Sequence, residues 1–332
     1  MASPQLVDRF GRVHDYLRIS LTERCNLRCF YCMPECGIEL RDNAVFMTEE
    51  ETIGIAKIFT ELGVKKIRLT GGEPLVKKNA HELILGMSSL PVKMAITSNG
   101  VLVDRFIQTF EKAGLKTINI SLDSIDKYKF NEITRRDYHD RIINNIHLLL
   151  SKGFRVKLNA VVIRGVNEVE IPQFIELTKS FDLSVRFIEF MPFDGNQWNW
   201  DKMLSYKEIM EHVASAYDQD DVIRLNDEPN DTSKNYKIKG FKGSFGIISP
   251  VSSPFCESCN RLRLTADGRL KNCLFGQEEF NLLEPFRNGE DIKPIILNAV
   301  QAKHKERGGI TALDHTFADQ KWANRSMTTI GG

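Results

Sequence analysis

Apolar and polar positions alternate with a period of two in Tyr16-Leu-Arg-Ile-Ser-Leu21, where Leu17, Ile19 and Leu21 are separated by Arg18 and Ser20. That alternation predicts a strand. The period then lengthens. Thr48-Glu-Glu-Glu51 forms a capping box, and Ile53, Ala56, Ile58, Phe59 and Leu62 follow at helical spacing until Gly63 ends the run. The same exchange of periods continues down the chain. It predicts strands over residues 65–69, 94–98, 117–122, 156–163 and 184–190, with helices opening at Asn79 and Ser205 and covering about 104–113, 139–152 and 169–181. Six strand-then-helix units with no long hairpin among them predict a parallel α/β sheet with helices outside. Alternation alone leaves a doubly wound sheet and a barrel equally open; both place sites at strand C-terminal ends.

Residues 225–236 are polar and rich in turn formers, so a boundary is expected there, dividing the chain into 5–225 and 226–332. Beyond it, short strands around Gly240, Gly243 and Gly246 and two helices within roughly 282–304 are expected. The segment from Gly308 to Gly332 is polar and is expected to lack a core of its own.

Composition adds bounds. The 332 residues are 42% hydrophobic and 27% charged, ordinary for a folded globular chain. Lys+Arg 45 against Asp+Glu 44 leaves a net +1, so no bulk field draws the chain to nucleic acid or a membrane surface, and any anion site must be a local cluster of bases. No apolar run is long enough to span a bilayer. Asp8, Arg9, Arg12 and Asp15 interrupt the N-terminal stretch, so a secretory signal is not expected and a cytoplasmic location is.

The seven cysteines fall at 25, 29, 32 and 36 and at 256, 259 and 273. An odd, clustered set of this kind favours metal over disulfides. Cys25-x3-Cys29-x2-Cys32 supplies three thiolates where structural zinc wants four ligands and a cubane has four irons. Three would leave one iron open. The zinc alternative takes Cys36 as fourth ligand. Gly71-Gly-Glu-Pro74 sits at a predicted strand end, where absent side chains allow close approach to the backbone and Glu73 can receive an ammonium. Cys256-x2-Cys259-x13-Cys273 is a second trio, with no His between His212 and His304 to complete a local zinc site. Arg261 and Arg263 follow it; if the segment is extended, both guanidiniums share a face suited to phosphate and purine edges. Trp198 and Trp200 are expected to pack at the barrel edge.

The first cysteine motif followed by Gly-Gly-Glu-Pro resembles the radical S-adenosylmethionine superfamily. Cys25-Asn-Leu-Arg-Cys-Phe-Tyr-Cys-Met-Pro34, Leu69-Thr-Gly-Gly-Glu-Pro74, Phe255-Cys-Glu-Ser-Cys-Asn-Arg-Leu-Arg-Leu264 and Gly331-Gly332 together resemble, within that superfamily, the GTP 3',8-cyclase family of molybdenum cofactor biosynthesis. The resemblance implies an incomplete (βα)6 TIM-like barrel, with a C-terminal iron-sulfur region closing one side. It implies two 4Fe-4S clusters, one on Cys25, Cys29 and Cys32 and one on Cys256, Cys259 and Cys273. Tyr31, Gly72, Glu73, Ser121 and Met191 match positions around S-adenosylmethionine, and Arg18, Arg68, Thr97, Lys157, Arg261 and Arg263 match positions that contact GTP. Arg18, Arg261 and Arg263 carry the catalytic expectation. Arg18 and Lys157 lie near strand starts or centres, so in a barrel they must point into the lumen.

The implied reaction converts GTP to 3',8-cyclo-7,8-dihydro-GTP through a 5'-deoxyadenosyl radical. The resemblance also implies an external electron donor, a homodimer and a downstream cyclic pyranopterin monophosphate synthase. Gly331-Gly332 is expected to reach the cavity. Two other classes fit parts of the pattern: a peptide-modifying radical S-adenosylmethionine enzyme with an auxiliary cluster, and a zinc-stabilised binding module.

Overall fold

The structure is a computed structural model that describes residues 5–33, 41–196, 198–310 and 324–331. Cys36, Gln197 and Gly332 lie outside the described residues. Six parallel strands form its centre: β1 (Tyr16–Ser20), β2 (Lys66–Thr70), β3 (Lys93–Ser98), β4 (Thr117–Ser121), β5 (Arg155–Val162) and β6 (Ser184–Glu189). They pair consecutively, each with the next. This is the βα repeat that the periodicity predicts.

Residues 222–281 extend that sheet at both edges. β7 (Val222–Arg224), β8 (Ser233–Ile238) and β9 (Ser244–Ile248) join by β9 pairing parallel with β6. β10 (Arg261–Leu264), β11 (Arg269–Lys271) and β12 (Phe280–Asn281) join by β10 pairing parallel with β1. All twelve strands make one sheet in the order β12-β11-β10-β1-β2-β3-β4-β5-β6-β9-β8-β7. The cysteine-bearing part of the C-terminal region therefore borders the β1 side, and β8 begins inside the polar stretch 225–236.

The helices are α1 (Glu49–Glu61), α2 (Ala80–Met87), α3 (Ile107–Lys112), α4 (Lys127–Thr134), α5 (His139–Ser151), α6 (Ile171–Ser180), α7 (Tyr206–Ala214), α8 (Leu283–Arg287), α9 (Lys293–Gln301) and α10 (Met327–Ile330). α1 and α7 open with the two capping boxes, Thr48 with Glu51 and Ser205 with Glu208. Asn79 precedes α2 but its side chain makes no cap bond. The periodicity misses α4, which is short and presents only Phe130, Ile133 and Thr134 to the core. Asp126 starts it by accepting from the Lys129 N–H at 2.8 Å.

The two faces of the strands separate cleanly. Leu17, Ile19, Ile67, Leu69, Ile118, Ile120, Val185, Phe187, Leu262 and Leu264 are fully buried in the hydrophobic core. The residues between them line a lumen, so the polar half of each alternation faces inward and the apolar half faces the helices. Trp198 is buried in a smaller cluster with Phe190, Met203 and Val251, and its indole donates to the Phe190 carbonyl at 2.8 Å. The expected edge-packing role holds.

Among the described residues no helix is long and apolar enough to cross a membrane. The tail docks against the rest of the chain: Ile330 is buried in α10, and Arg325 pairs with Asp267 and Glu279.

Candidate active site

The lumen is a cavity of about 840 Å³ with both cysteine trios in its wall. A volume in this range suits a small-molecule ligand. Of the residues singled out from the sequence, Arg18, Tyr31, Arg68, Gly72, Thr97, Ser121, Lys157, Met191, Arg261, Arg263 and the six cysteines all line it. Glu73 does not. Its carboxylate is buried and accepts from the N–H groups of Leu75 at 3.1 Å and Asn99 at 2.6 Å and from the Ser98 hydroxyl at 2.9 Å. Donors on either side thus fix the carboxylate in place, and it folds the turn.

The two N-terminal motifs meet through backbone. The Gly72 N–H donates to the Thr22 carbonyl at 2.7 Å and the Glu73 N–H to the Arg24 carbonyl at 2.8 Å. A Cβ on Gly72 would lie 2.5 Å from the Arg24 oxygen and 2.6 Å from that of Glu23. The missing side chain thus admits the segment leading to Cys25.

Register decides the charge pattern. Across the parallel strands Arg18 stands beside Arg263 on one side and Arg68 on the other. Adjacent strands are about 4.8 Å apart, so three arginines share one layer of the lumen wall, with the Arg68 guanidinium donating to Tyr16 Oη, the Ile96 carbonyl and Thr97 Oγ1. Below them Tyr16 neighbours Arg261 and Lys66. Like charges in direct register are unfavourable unless an anion lies between them. Burial and the Arg263 charge hold the Arg18 guanidinium well below its ordinary value, and burial, with Arg261 nearby, brings Arg263 down to about 10. Burial followed by the Arg186 charge lowers Lys157 to about 8, against the pull of Asp231.

Sequence reasoning missed several wall residues. Arg186 stands one layer above Lys157, and its buried Nε has no hydrogen-bond partner among the described residues. Asn119 and Asn159 carry buried side-chain oxygens in the same condition. Tyr16 accepts from Arg68 Nε at 2.6 Å; burial pushes its phenol up, but the charges of Arg68, Arg18 and Lys66 outweigh that and bring it to about 7. The period-2 pattern of β1, β2 and β6 marks Tyr16, Lys66 and Arg186 as lumen-facing once the face of Arg18 is known.

Tyr31 donates to Asp123 at 2.6 Å, and Asp123 accepts from the Val161 N–H at 2.9 Å; burial raises that carboxyl to about 6. Cys25 receives the Leu27 N–H at 3.4 Å and the Asn99 amide at 3.8 Å. Burial pushes the Cys25 thiol up to about 11 and Cys32 up to about 12. Three half-buried thiols facing one cavity are costly as free thiolates and become reasonable when metal takes the proton's place. Among the described residues no three His, Cys, Asp or Glu side chains converge on a single ion. A cubane asks for something else, since each thiolate binds its own iron. The donor set therefore fits a cluster at each trio.

The comparisons place this fold and site in a class. The Radical SAM superfamily model matches residues 19–178, and that of Molybdenum Cofactor Synthesis C matches 183–308. The solved structure of Streptococcus suis SuiB bound to S-adenosylmethionine shares the fold, with a TM-score of 0.61 at 17% identity over 90% of this chain and 70% of that one.

GTP 3',8-cyclase of Listeria welshimeri is 39% identical over 98% of this chain and 99% of its own length. The mitochondrial GTP 3',8-cyclase of Arabidopsis thaliana is 45% identical over 99% of this chain and 84% of its length. The chain belongs to the GTP 3',8-cyclase family of radical S-adenosylmethionine enzymes. It spans about half the length of several relatives, 54% of Molybdenum cofactor biosynthesis protein 1 of Drosophila melanogaster for example. Identity at this level favours the cyclase over the peptide-modifying and zinc-module alternatives.

Proposed function

We propose that the protein converts GTP to 3',8-cyclo-7,8-dihydro-GTP within this cavity, at the head of molybdenum cofactor biosynthesis. The observation that carries the reading is the Arg263–Arg18–Arg68 layer in a lumen with a cysteine trio at each of two positions in its wall. Cys25, Cys29 and Cys32 hold the cluster that binds S-adenosylmethionine, and Cys256, Cys259 and Cys273 hold the second. When bound, the first cluster would supply the electron for reductive cleavage of S-adenosylmethionine, the source of the radical chemistry that the conversion of GTP requires.

The remaining roles belong to the chain. Tyr31, fixed by Asp123, with Gly72, Ser121 and Met191, forms the S-adenosylmethionine wall; Glu73 folds the turn and keeps one acceptor position for the methionyl ammonium. Arg18, Arg68, Thr97 and Lys157, with Lys66 and Arg186, take the triphosphate, whose charge offsets their mutual repulsion. Arg261 and Arg263 orient the nucleotide beside the second cluster. The lumen keeps water from a primary carbon radical and holds the reacting atoms at short range.

Residues 5–225 would serve as the S-adenosylmethionine half and 226–332 as the second-cluster half. An external one-electron donor, a homodimer and a downstream cyclic pyranopterin monophosphate synthase complete the proposal. A cytoplasmic location suits thiolates that must stay reduced.

Anaerobic reconstitution with iron and sulfide tests the reading. Roughly eight irons per chain, two cubanes of four, and 5'-deoxyadenosine formation that rises with GTP support it. Zinc in place of iron, or cleavage indifferent to GTP, overturns it.

A further inference from the structure

Beside the second cysteine trio, in the wall of the same cavity, lies a buried charge that the roles assigned above leave unused. Lys303, just past α9, is 3% exposed. Its ammonium donates to the Arg261 carbonyl at 3.1 Å and to the Asn272 carbonyl. The first acceptor lies two residues after Cys259 and the second immediately before Cys273, so Lys303 bridges the segments that carry two of the three thiols. Both acceptors are neutral. A buried ammonium is too costly to keep without negative charge close by.

The neighbouring cation differs in this respect. Arg12 is paired with Asp8 at 2.6 Å, and its remaining donors go to the carbonyls of Cys256, His304 and Lys305, each at 2.8 Å. Its charge is met by a carboxylate, whereas the described hydrogen bonds of Lys303 go only to carbonyls. Lys303 shares the cavity wall with Cys256, Cys259 and Cys273, and its two carbonyl acceptors belong to the segments that carry Cys259 and Cys273.

We infer that Lys303 is the resident counter-charge of the second iron-sulfur cluster, favouring its reduced form and so setting its reduction potential above what the site would otherwise have. The inference rests on the reading of Cys256, Cys259 and Cys273 as a cluster site. A cubane on three thiolates is anionic, and one electron from an external low-potential donor makes it more so; no bond or proton moves. Net charge and hydrogen bonding around the sulfurs are the protein's levers on such a potential. With two of its protons spent on carbonyls that flank the thiols, Lys303 acts on the cluster as a positioning and tuning residue.

The experiment is a mediated dithionite titration of the full reconstituted chain, followed by electron paramagnetic resonance, for the wild type, Lys303→Met and Lys303→Arg. The first cluster, recognised by its response to S-adenosylmethionine, is the internal reference. The expected result is a more negative midpoint for the second cluster in Lys303→Met, with iron content and the first midpoint unchanged, and recovery in Lys303→Arg. Loss of the second cluster in the Met variant alone, with an unshifted midpoint in the Arg variant, also supports the inference.

An unshifted midpoint at full iron content overturns it, as does a joint shift of both clusters. Loss of the second cluster in both variants overturns it too, since Lys303 would then be a structural staple. Cys273→Ala separates the underlying reading: if it leaves the iron content at the wild-type value, the cluster assignment itself fails.

Discussion

Arg325 meets Asp267 end-on, its two terminal nitrogens donating to the two carboxylate oxygens at 2.9 Å each. The same guanidinium reaches Glu279 at 2.6 and 2.7 Å. Asp267 also accepts from Arg41 at 3.1 Å, and Arg41 pairs with Glu23, two residues before Cys25. One network of charges therefore fastens the tail, the β10–β11 turn and the approach to the first cysteine motif.

Replacing Arg325 by Gln should loosen the tail without emptying either cluster. The buried-pair cost, discounted for the partial exposure of Arg325, is ~2 kcal/mol. Amide exchange at Thr329, Ile330 and Gly331 should then be roughly thirtyfold faster. Mass-resolved hydrogen exchange reads this directly, and protection equal to wild type would remove the latch.

Met327 and Thr328 of the tail line the cavity. Arg263 Nη1 donates to the Gly331 carbonyl at 2.5 Å. Gly331 has φ +87, and a Cβ there would lie 2.7 Å from Thr70 Oγ1 and 2.9 Å from Ser20 Cβ. Gly331→Ala should therefore displace the tail, and deletion of Gly331-Gly332 should remove it. Both should lower cyclisation by at least about tenfold, since misplacement near the reacting groups is costly, while iron content stays at the wild-type value. Unchanged turnover in the deletion would show that the tail has no part in the reaction.

Arg18 stands in register with Arg263 and Arg68 in the cavity wall. Arg18→Met should weaken GTP binding by about 3 kcal/mol, roughly a hundredfold, as loss of a desolvated charge pair does. Equilibrium titration of GTP into the reconstituted wild type and variant checks it, and equal affinity would take Arg18 out of nucleotide binding.

Lys157, lowered to about 8 in the free cavity, binds an anion only when protonated. Its protonated fraction falls as pH rises through that value, so kcat/KM for GTP should decline above about pH 8, by about tenfold per unit. Lys157→Arg keeps the charge at all such pH values and should flatten this limb. Persistence of the limb in that variant would assign it to another group of the lumen, with Tyr16 the first to test.

Much of the architecture was legible along the chain. The βα alternation, both capping boxes, the two cysteine trios and the shared face of Arg261 and Arg263 follow from short-range periodicity, and each appears in the structure. α4 was not legible, because a short helix with few apolar positions leaves too weak a periodic signal. The site was legible to the extent that a motif fixes its own chemistry. Glu73 shows the limit: the residue type is right for an ammonium, but local donors from Leu75, Ser98 and Asn99 decide where its oxygens point.

The sequence by itself determined which segments would be strands and helices and which side chains could hold metal, because periodicity and ligand spacing act within a few residues. Only the tertiary structure decided that Arg263, Arg18 and Arg68 share a layer, that Lys303 bridges the segments of Cys259 and Cys273, and that Gly331 reaches Arg263. Strand register and tail docking are chosen by packing between segments far apart in the chain, where no local pattern carries the information.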